Sequence, residues 1–192
     1  RLLACSRQEN ADIFDAARIG LGALGIITGV TVHCVPAFAL AAREAPATLT
    51  GTLAELDETV SRTDHFEFYW FPHTDRVLTK ANTRMPLGTP LAPLGRLSSY
   101  VDDELMSNKA FEAINRIVTR FPAAIPRANA VSSRVLSARE YTDRSHRVFA
   151  SSRKVRFREM EYAVPSESIP YVVREIDRWL ESSSCTVAFP VE

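Results

Sequence analysis

The chain has 192 residues, 46% of them hydrophobic and 24% charged, with 23 basic residues balanced by 23 acidic ones. That composition fits one globular domain or two small ones, with core enough to fold without staples. Zero formal net charge removes any whole-molecule electrostatic case for nucleic acid or an anionic membrane. No apolar run approaches the roughly 18 residues of a membrane span. Cys5, Cys34 and Cys185 are odd in number and far apart, which excludes a disulfide framework and a zinc knuckle and suggests a reducing compartment.

The first residues, Arg1 to Ser6, read like the middle of a strand, and Val187 to Glu192 stop inside another. Neither end has the polar, frayed composition of a terminus, so the expectation is a piece of a longer protein. Asn10 to Ile19 places Ile13, Phe14 and Ala17 on one helical face, with Asn10 as its cap. Ile26 to Val35 is rich in Ile, Val and Thr and reads as a buried strand closed by Pro36. Phe38 to Thr50 reads as a second strand with a turn near Pro46, and Thr52-Leu53-Ala54-Glu55 as a capping box opening a helix. His65 to Phe71 alternates Phe66, Phe68 and Trp70 against His65, Glu67, Tyr69 and Phe71. Asp75 to Ala81 is its hairpin partner across Pro72-His73-Thr74.

Pro86, Pro90 and Pro93 with Gly88 and Gly95 mark a loop or linker. Asp103 to Phe121 is the longest helical pattern, with Met106, Ala110, Ile114, Ile117, Val118 and Phe121 on one stripe. Arg134 to Arg158 holds eight basic residues and two acids. Lys154 to Val164 reads as a strand, Ser166 to Leu180 as an amphipathic helix with Pro170 in its first turn, and Cys185 to Val191 as the last strand. This order predicts an α+β fold: an antiparallel or mixed sheet with helices on one face, preceded by about 36 residues from a different domain.

Few motifs carry chemistry. Gly20-Leu21-Gly22-Ala23-Leu24-Gly25 matches G-x-G-x-x-G, but a helix precedes it and a strand follows, the reverse of the dinucleotide-binding order. What remains is a glycine-rich turn whose backbone can approach a ligand closely, or simply a tight helix-to-strand connection. His33-Cys34, His65 and His73 lack further ligands at metal spacing, so no metal is expected. The 134–158 arginines read as a solvated face rather than an RNA surface, having few aromatics at stacking intervals. Glu159 and Glu161 share a strand face and form either a general-base pair or a solvent-exposed edge. In the last strand Val187, Phe189 and Val191 face one way and Thr186, Ala188, Pro190 and Glu192 the other, so Glu192 points off the face away from the aromatic one.

Four stretches carry a resemblance: Ala16–Thr31 with Val35-Pro36-Ala37-Phe38, Glu67–Asp75, Phe157–Pro165 and Phe189-Pro190-Val191-Glu192. Together they resemble the sugar-lactone oxidase family, which includes D-arabinono-1,4-lactone oxidase, L-gulono-1,4-lactone oxidase or dehydrogenase and alditol oxidase, flavoproteins of the vanillyl-alcohol-oxidase type. The resemblance covers essentially the whole chain. It implies that residues 1–36 are the C-terminal part of a PCMH-type FAD-binding domain. There Gly22, Gly25, Ile26 and Ile27 would line the adenosine end of FAD. Residues 37–192 would be the substrate, or cap, domain, incomplete at its C-terminus, whose sheet covers the isoalloxazine. Glu192 matches the Glu of the family's Glu-x-Arg pair at the substrate; the Arg would fall two residues further on.

The activity so implied is oxidation of an aldonolactone or polyol hydroxyl by hydride transfer to the flavin, with oxygen or a cytochrome as acceptor. The location would be cytoplasmic or membrane-associated, no nucleic acid is expected, and the 192 residues alone are expected to be inactive. The rival readings are a stand-alone split βαβ-like RNA-binding domain and a protein-interaction domain.

Overall fold

Four strands make one antiparallel sheet: β1 (Ala39–Ala47), β2 (His65–Phe71), β3 (Arg76–Met85) and β4 (Arg139–Arg144), in the order β2-β3-β1-β4. The computed structural model describes residues 2–86, 88–95, 110–150, 160–188 and 190–192. It separates into two compact units, Arg1–Pro36 and Ala37–Glu192, and the sheet belongs to the second.

In the first unit, α1 (Ala11–Arg18) follows Asn10, which adopts a left-handed conformation (φ 48°) and makes no side-chain cap. Its amide instead donates to the Ala4 carbonyl at 2.8 Å, so the expected cap is replaced by a loop closure. No residue of α1 is buried. Two tight turns then bond Ala23 N to Gly20 O and Gly25 N to Gly22 O. Gly22 (φ 82°) and Gly25 (φ 132°) hold backbone conformations that a side chain would strain. Residues 26–35 form neither strand nor helix and lie exposed, against the expectation of a buried strand. A β-branched run makes a strand only where a neighbouring strand offers a ladder, and none of the described strands pairs with it.

In the second unit β1 is central. It pairs with β3 over its whole length and with β4 from Ala39 to Glu44. Pro46 is accommodated inside β1 rather than in a turn. It lies beyond the stretch paired with β4, where a missing N–H costs least. The β2–β3 hairpin forms as expected, turning at Pro72-His73-Thr74. His73 takes φ 67° there, a left-handed position His tolerates better than most side chains.

The helix after β1 begins earlier than the capping-box match implies. Thr48 caps α2 (Leu49–Ala54) by accepting from Gly51 N, and the helix breaks at Glu55 before α3 (Leu56–Arg62). The long helical pattern is described from Ala110 and contains α4 (Phe111–Arg120); Met106 lies outside the described residues. Pro122 and Pro126 then lead into α5 (Ile125–Ser132). Strand β4 and α6 (Ser145–Phe149) occupy a stretch read from sequence only as basic surface. The proline-rich loop is not a free linker, because Ala92 and Thr142 exchange backbone hydrogen bonds on the outer edge of β4.

Of the expected strand 154–164, residues 154–159 lie outside the described residues and 160–164 form no strand. The amphipathic helix α7 (Ile169–Ser182) forms as expected. The expected closing strand contracts to a single antiparallel bridge between Val191 and Trp70.

Register sorts the sheet into two faces. On one face Trp70, Val77 and Ala47 pack with Leu49 and Leu53 of α2 and Val173 and Leu180 of α7. On the other, Leu40 and Ala42 pack under Val148 of α6. Helices therefore cover both faces, not one. Among the described residues the second is covered by α6, five residues long, which sets Val148 on Leu40 and Ala42 of β1 and Phe149 edge-on against His65 of β2.

The hairpin turn is the structural hub of this unit. Asn129, buried in α5, donates through Nδ2 to Pro72 O at 2.9 Å and Val187 O at 2.8 Å. Trp70 Nε1 donates to Thr74 O, and Val187 N donates to His73 Nε2. The turn, α5 and the chain's last residues are thus tied together, which holds Val191 beside Trp70.

Candidate functional site on the partly open sheet face

The bridge at Trp70 fixes the candidate site. Trp70 N donates to Val191 O and Val191 N to Trp70 O, each at 2.8 Å. Val191 packs against the Trp70–Leu180 cluster with the helices. The next residue, Glu192, is exposed and by strand alternation belongs to the opposite face. Carried one residue on, this register sets Glu192 across from Tyr69.

The face that Glu192 shares is polar. One residue from each strand, Arg139, Glu44, Lys80 and Glu67, lies in a single cross-strand row of alternating charge. Glu44 is 5% exposed. Its Oε2 accepts from Arg139 Nε and Nη2, both at 2.8 Å, and its Oε1 from the Tyr141 hydroxyl at 3.1 Å. A buried carboxylate needs such partners, because an unpaired charge in low dielectric is costly. Lys80 Nζ lies 3.0 Å from Glu67 Oε1 and donates to Val148 O of α6 at 3.2 Å. Further along the strands from His65, which Phe149 of α6 meets, the face carries Glu67, Tyr69 and Leu78, all half-buried, and Glu192. This arrangement can accept hydrogen bonds from hydroxyl groups at two carboxylates and seat an apolar ring edge between them.

The glycine-rich turn belongs to the first unit. A Cβ added at Gly22 or Gly25 would meet nothing within 4 Å. Ile26 and Ile27 are 92% and 62% exposed. The unit's one described ion pair, Arg18 with Asp15 at 3.4 Å, lies on α1.

The other candidates are dispersed. Glu159 lies outside the described residues, and Glu161 is exposed in a segment without regular structure. His65 stacks edge-on against Phe149, and His73 serves the hairpin turn. Arg139 is committed to Glu44, and Arg147 to Asp143 at 3.8 Å. Glu44 and Arg139 escape a reading of local spacing, because only the pairing of β1 with strands far along the chain aligns them with Lys80 and Glu67 of the hairpin. The hairpin alternation, which sets Glu67 and Tyr69 opposite Trp70, is the signal the sequence does carry.

Away from this face, the carboxyl of Asp177 on α7 is pushed above its ordinary value of 3.8, chiefly by burial and then by Glu181; His73 opposes the shift and Asp75 adds to it. Among the described residues no helix is long and apolar enough to cross a membrane.

Comparison with known proteins gives a consistent set. The family described as D-arabinono-1,4-lactone oxidase matches residues 30–192. An L-gulono-1,4-lactone dehydrogenase of Mycobacterium tuberculosis is 38% identical over 187 residues, which are 96% of this chain and 42% of that protein. The L-gulonolactone oxidase of Bos taurus is 30% identical over 196 residues, covering all of this chain and 43% of the relative. A D-arabinono-1,4-lactone oxidase of Yarrowia lipolytica is 34% identical over 91 residues, 46% of this chain and 17% of that protein. The chain thus spans less than half the length of the curated relatives it matches.

Proposed function

The chain belongs to the D-arabinono-1,4-lactone oxidase family, and from that premise we propose that it is part of an FAD-dependent enzyme oxidising a hydroxyl of an aldonolactone. In this reading residues 1–36 are the C-terminal part of the PCMH-type FAD-binding domain. Residues 37–192 are most of the substrate domain. The substrate is of the gulono- or arabinono-1,4-lactone type, as the names of the relatives suggest, and oxygen or a cytochrome takes the electrons.

The first unit fits a contact with the adenosine end of FAD. Gly22 and Gly25 leave open space where side chains would stand, and the backbone from Ile26 onward lies outside any ladder. It offers backbone groups and apolar side chains rather than a cluster of cations, which suits a base and ribose and not a pyrophosphate. Bound FAD would supply the hydride acceptor. Oxidising a secondary alcohol also requires a proton to leave the oxygen. Glu192 fills that role. Its carboxylate accepts the hydroxyl's hydrogen bond, orients the carbon–hydrogen bond and takes the proton as the hydride departs.

The observation that carries this reading is the Val191–Trp70 bridge. It commits Val191 to the helix-covered core and so turns Glu192 to the polar face, as a carboxylate aimed at a hydroxyl requires. The test is Glu192→Gln in the full-length enzyme, with anaerobic flavin bleaching by L-gulono-1,4-lactone as the readout. Loss of a general base lowers the reduction rate about 10²- to 10⁴-fold, with the oxidised flavin spectrum unchanged. A rate within threefold of the parent would remove Glu192 from the chemistry.

A further inference from the structure

The closing segment is held at Val187 before it reaches the bridge at Val191. Side chains from elsewhere take both backbone groups of Val187. Its N–H donates to His73 Nε2 at 3.3 Å, and its carbonyl accepts from Asn129 Nδ2 at 2.8 Å. The turn that carries His73 is itself closed by Thr74, whose N–H and hydroxyl both bond Phe71 O and whose carbonyl accepts from Trp70 Nε1. His73 stands in that turn at φ 67°. Gly or Asn suits such a position better still, but neither carries an acceptor as far from the backbone as Nε2.

The direction of this bond fixes the state of the ring. A backbone N–H can only donate, so Nε2 holds a lone pair and the proton of the neutral ring sits on Nδ1. A second proton makes Nε2 a donor facing a donor, and the bond to Val187 is lost. The charges around the ring favour that exchange. Asp177 of α7 interacts electrostatically with His73, and Asp75 of the hairpin and Glu181 of α7 act on the same carboxyl. The basic residues on the adjoining elements, Arg76 after the turn, Arg127 of α5 and Arg174 and Arg178 of α7, are exposed, as is Cys185 of the closing segment. An imidazolium therefore gains acidic neighbours as it loses Val187.

We propose that His73 is a positioning residue for the reacting carboxylate: as a neutral hydrogen-bond acceptor it fixes Val187, and with it the path by which the closing segment enters the Val191–Trp70 bridge and presents Glu192, and its protonation releases that hold. The proposal rests on the reading of Glu192 as the group that takes the hydroxyl proton. His73 acts through Val187 and Val191 and not on the lactone, so it changes the rate of hydride departure more than lactone affinity. A displacement of about 1 Å at a reacting group is enough to slow a reaction about 10²-fold.

The experiment compares His73→Gln and His73→Asn in the full-length flavoenzyme. The readouts are Val187 amide exchange and stopped-flow flavin reduction by L-gulono-1,4-lactone, each from about pH 8 to about pH 5, the range in which an imidazole gains its proton. Gln sets an acceptor oxygen where Nε2 stands and does not titrate. Asn suits the left-handed turn but stops short of Val187. In the parent, protection of the Val187 amide relative to the unfolded chain should fall about 10-fold on acidification over that range, and the limiting reduction rate should fall with it. His73→Gln should keep the parent's high-pH protection and rate within threefold and lose the pH dependence of the protection. His73→Asn should exchange at Val187 about 10-fold faster throughout and reduce the flavin about 3- to 10-fold more slowly at high pH, with the lactone Kd within twofold of the parent. The reverse order, His73→Asn at the parent's values and His73→Gln impaired, makes His73 a turn residue only and overturns the proposal. So does faster Val187 exchange in His73→Asn with an unchanged reduction rate, because the segment is then held without placing Glu192. Glu192→Gln separates the two levels. If it slows reduction while His73→Asn reduces normally, only the role of His73 fails. If Glu192→Gln reduces normally, the reading of Glu192 fails, and the link from His73 to the chemistry fails with it whatever the exchange shows.

Discussion

Residues 26–35 and β1 invert what composition leads one to expect. The first run has the best strand composition in the chain and makes no strand. The second, Ala39–Ala47, contains five alanines and a proline and is the centre of the sheet. The difference lies in the neighbours. β1 has β3 on one side and β4 on the other, whereas Ile26 and Val30 are 92% and 75% exposed. Strand preference is a statement about fitting a pleated, half-buried surface, and a run without that surface leaves the preference unused. In the proposed enzyme the remainder of the flavin domain supplies it.

Substitution should expose that contrast most sharply. Trp70→Ala removes the largest fully buried side chain among the described residues and part of the cluster Val191 packs against, while leaving the backbone bridge itself possible. It should cost about 3–5 kcal/mol by urea unfolding. Ile27→Ala, at 62% exposure, should change stability by less than about 0.5 kcal/mol in this chain. In the full-length protein the cost of Ile27→Ala should rise toward core values. An equal, small cost in both would mean that the first unit is not completed by the rest of the enzyme.

Asn129→Ala should have an intermediate effect. Its Nδ2 is shared by two carbonyls, one from the hairpin turn and one from Val187. Removing it leaves both without that donor, at about 2 kcal/mol, and loosens the closing segment. Amide exchange at Val191, whose N–H bonds Trp70 O, should accelerate in step. Unchanged exchange there would show that the bridge holds without the turn.

A smaller effect than that of Asn129→Ala concerns Asp177. Its carboxyl titrates above 3.8 because burial and Glu181 disfavour its charge. The folded state then binds a proton more tightly than the unfolded one, so this group's contribution to stability falls as pH rises from 3.8 through the folded value. Asp177→Asn should therefore stabilise the protein slightly at neutral pH, by no more than about 1 kcal/mol after solvent screening. That gain should vanish below pH 3.8, where both states hold the proton. A gain independent of pH would point to packing instead.

Much of the second unit is legible from local pattern. The hairpin is readable because His65–Phe71 alternates across a proline-led turn, and α7 because its apolar stripe repeats at helical spacing. Strand β4 is not, since Arg139-Glu140-Tyr141-Thr142-Asp143-Arg144 has no apolar alternation; its polar side chains complete a charged row instead of a core. The capping-box match misleads at α2 because Thr52 sits inside the helix and Thr48 caps it. For the site, strand alternation suffices to turn Glu192 away from the core. Glu67 and Lys80 face each other within the readable hairpin, but Glu44 joins them only through a pairing 36 positions apart and Arg139 joins Glu44 across 95, and no local spacing encodes those.

The most direct test of a substrate site on this face is a crystal structure of the full-length protein with FAD and L-gulono-1,4-lactone bound. The expected lactone lies on the sheet face of Glu67 and Tyr69, with a ring hydroxyl within hydrogen-bond distance of the Glu192 carboxylate. A lactone bound elsewhere, with Glu192 turned into bulk water, would contradict it.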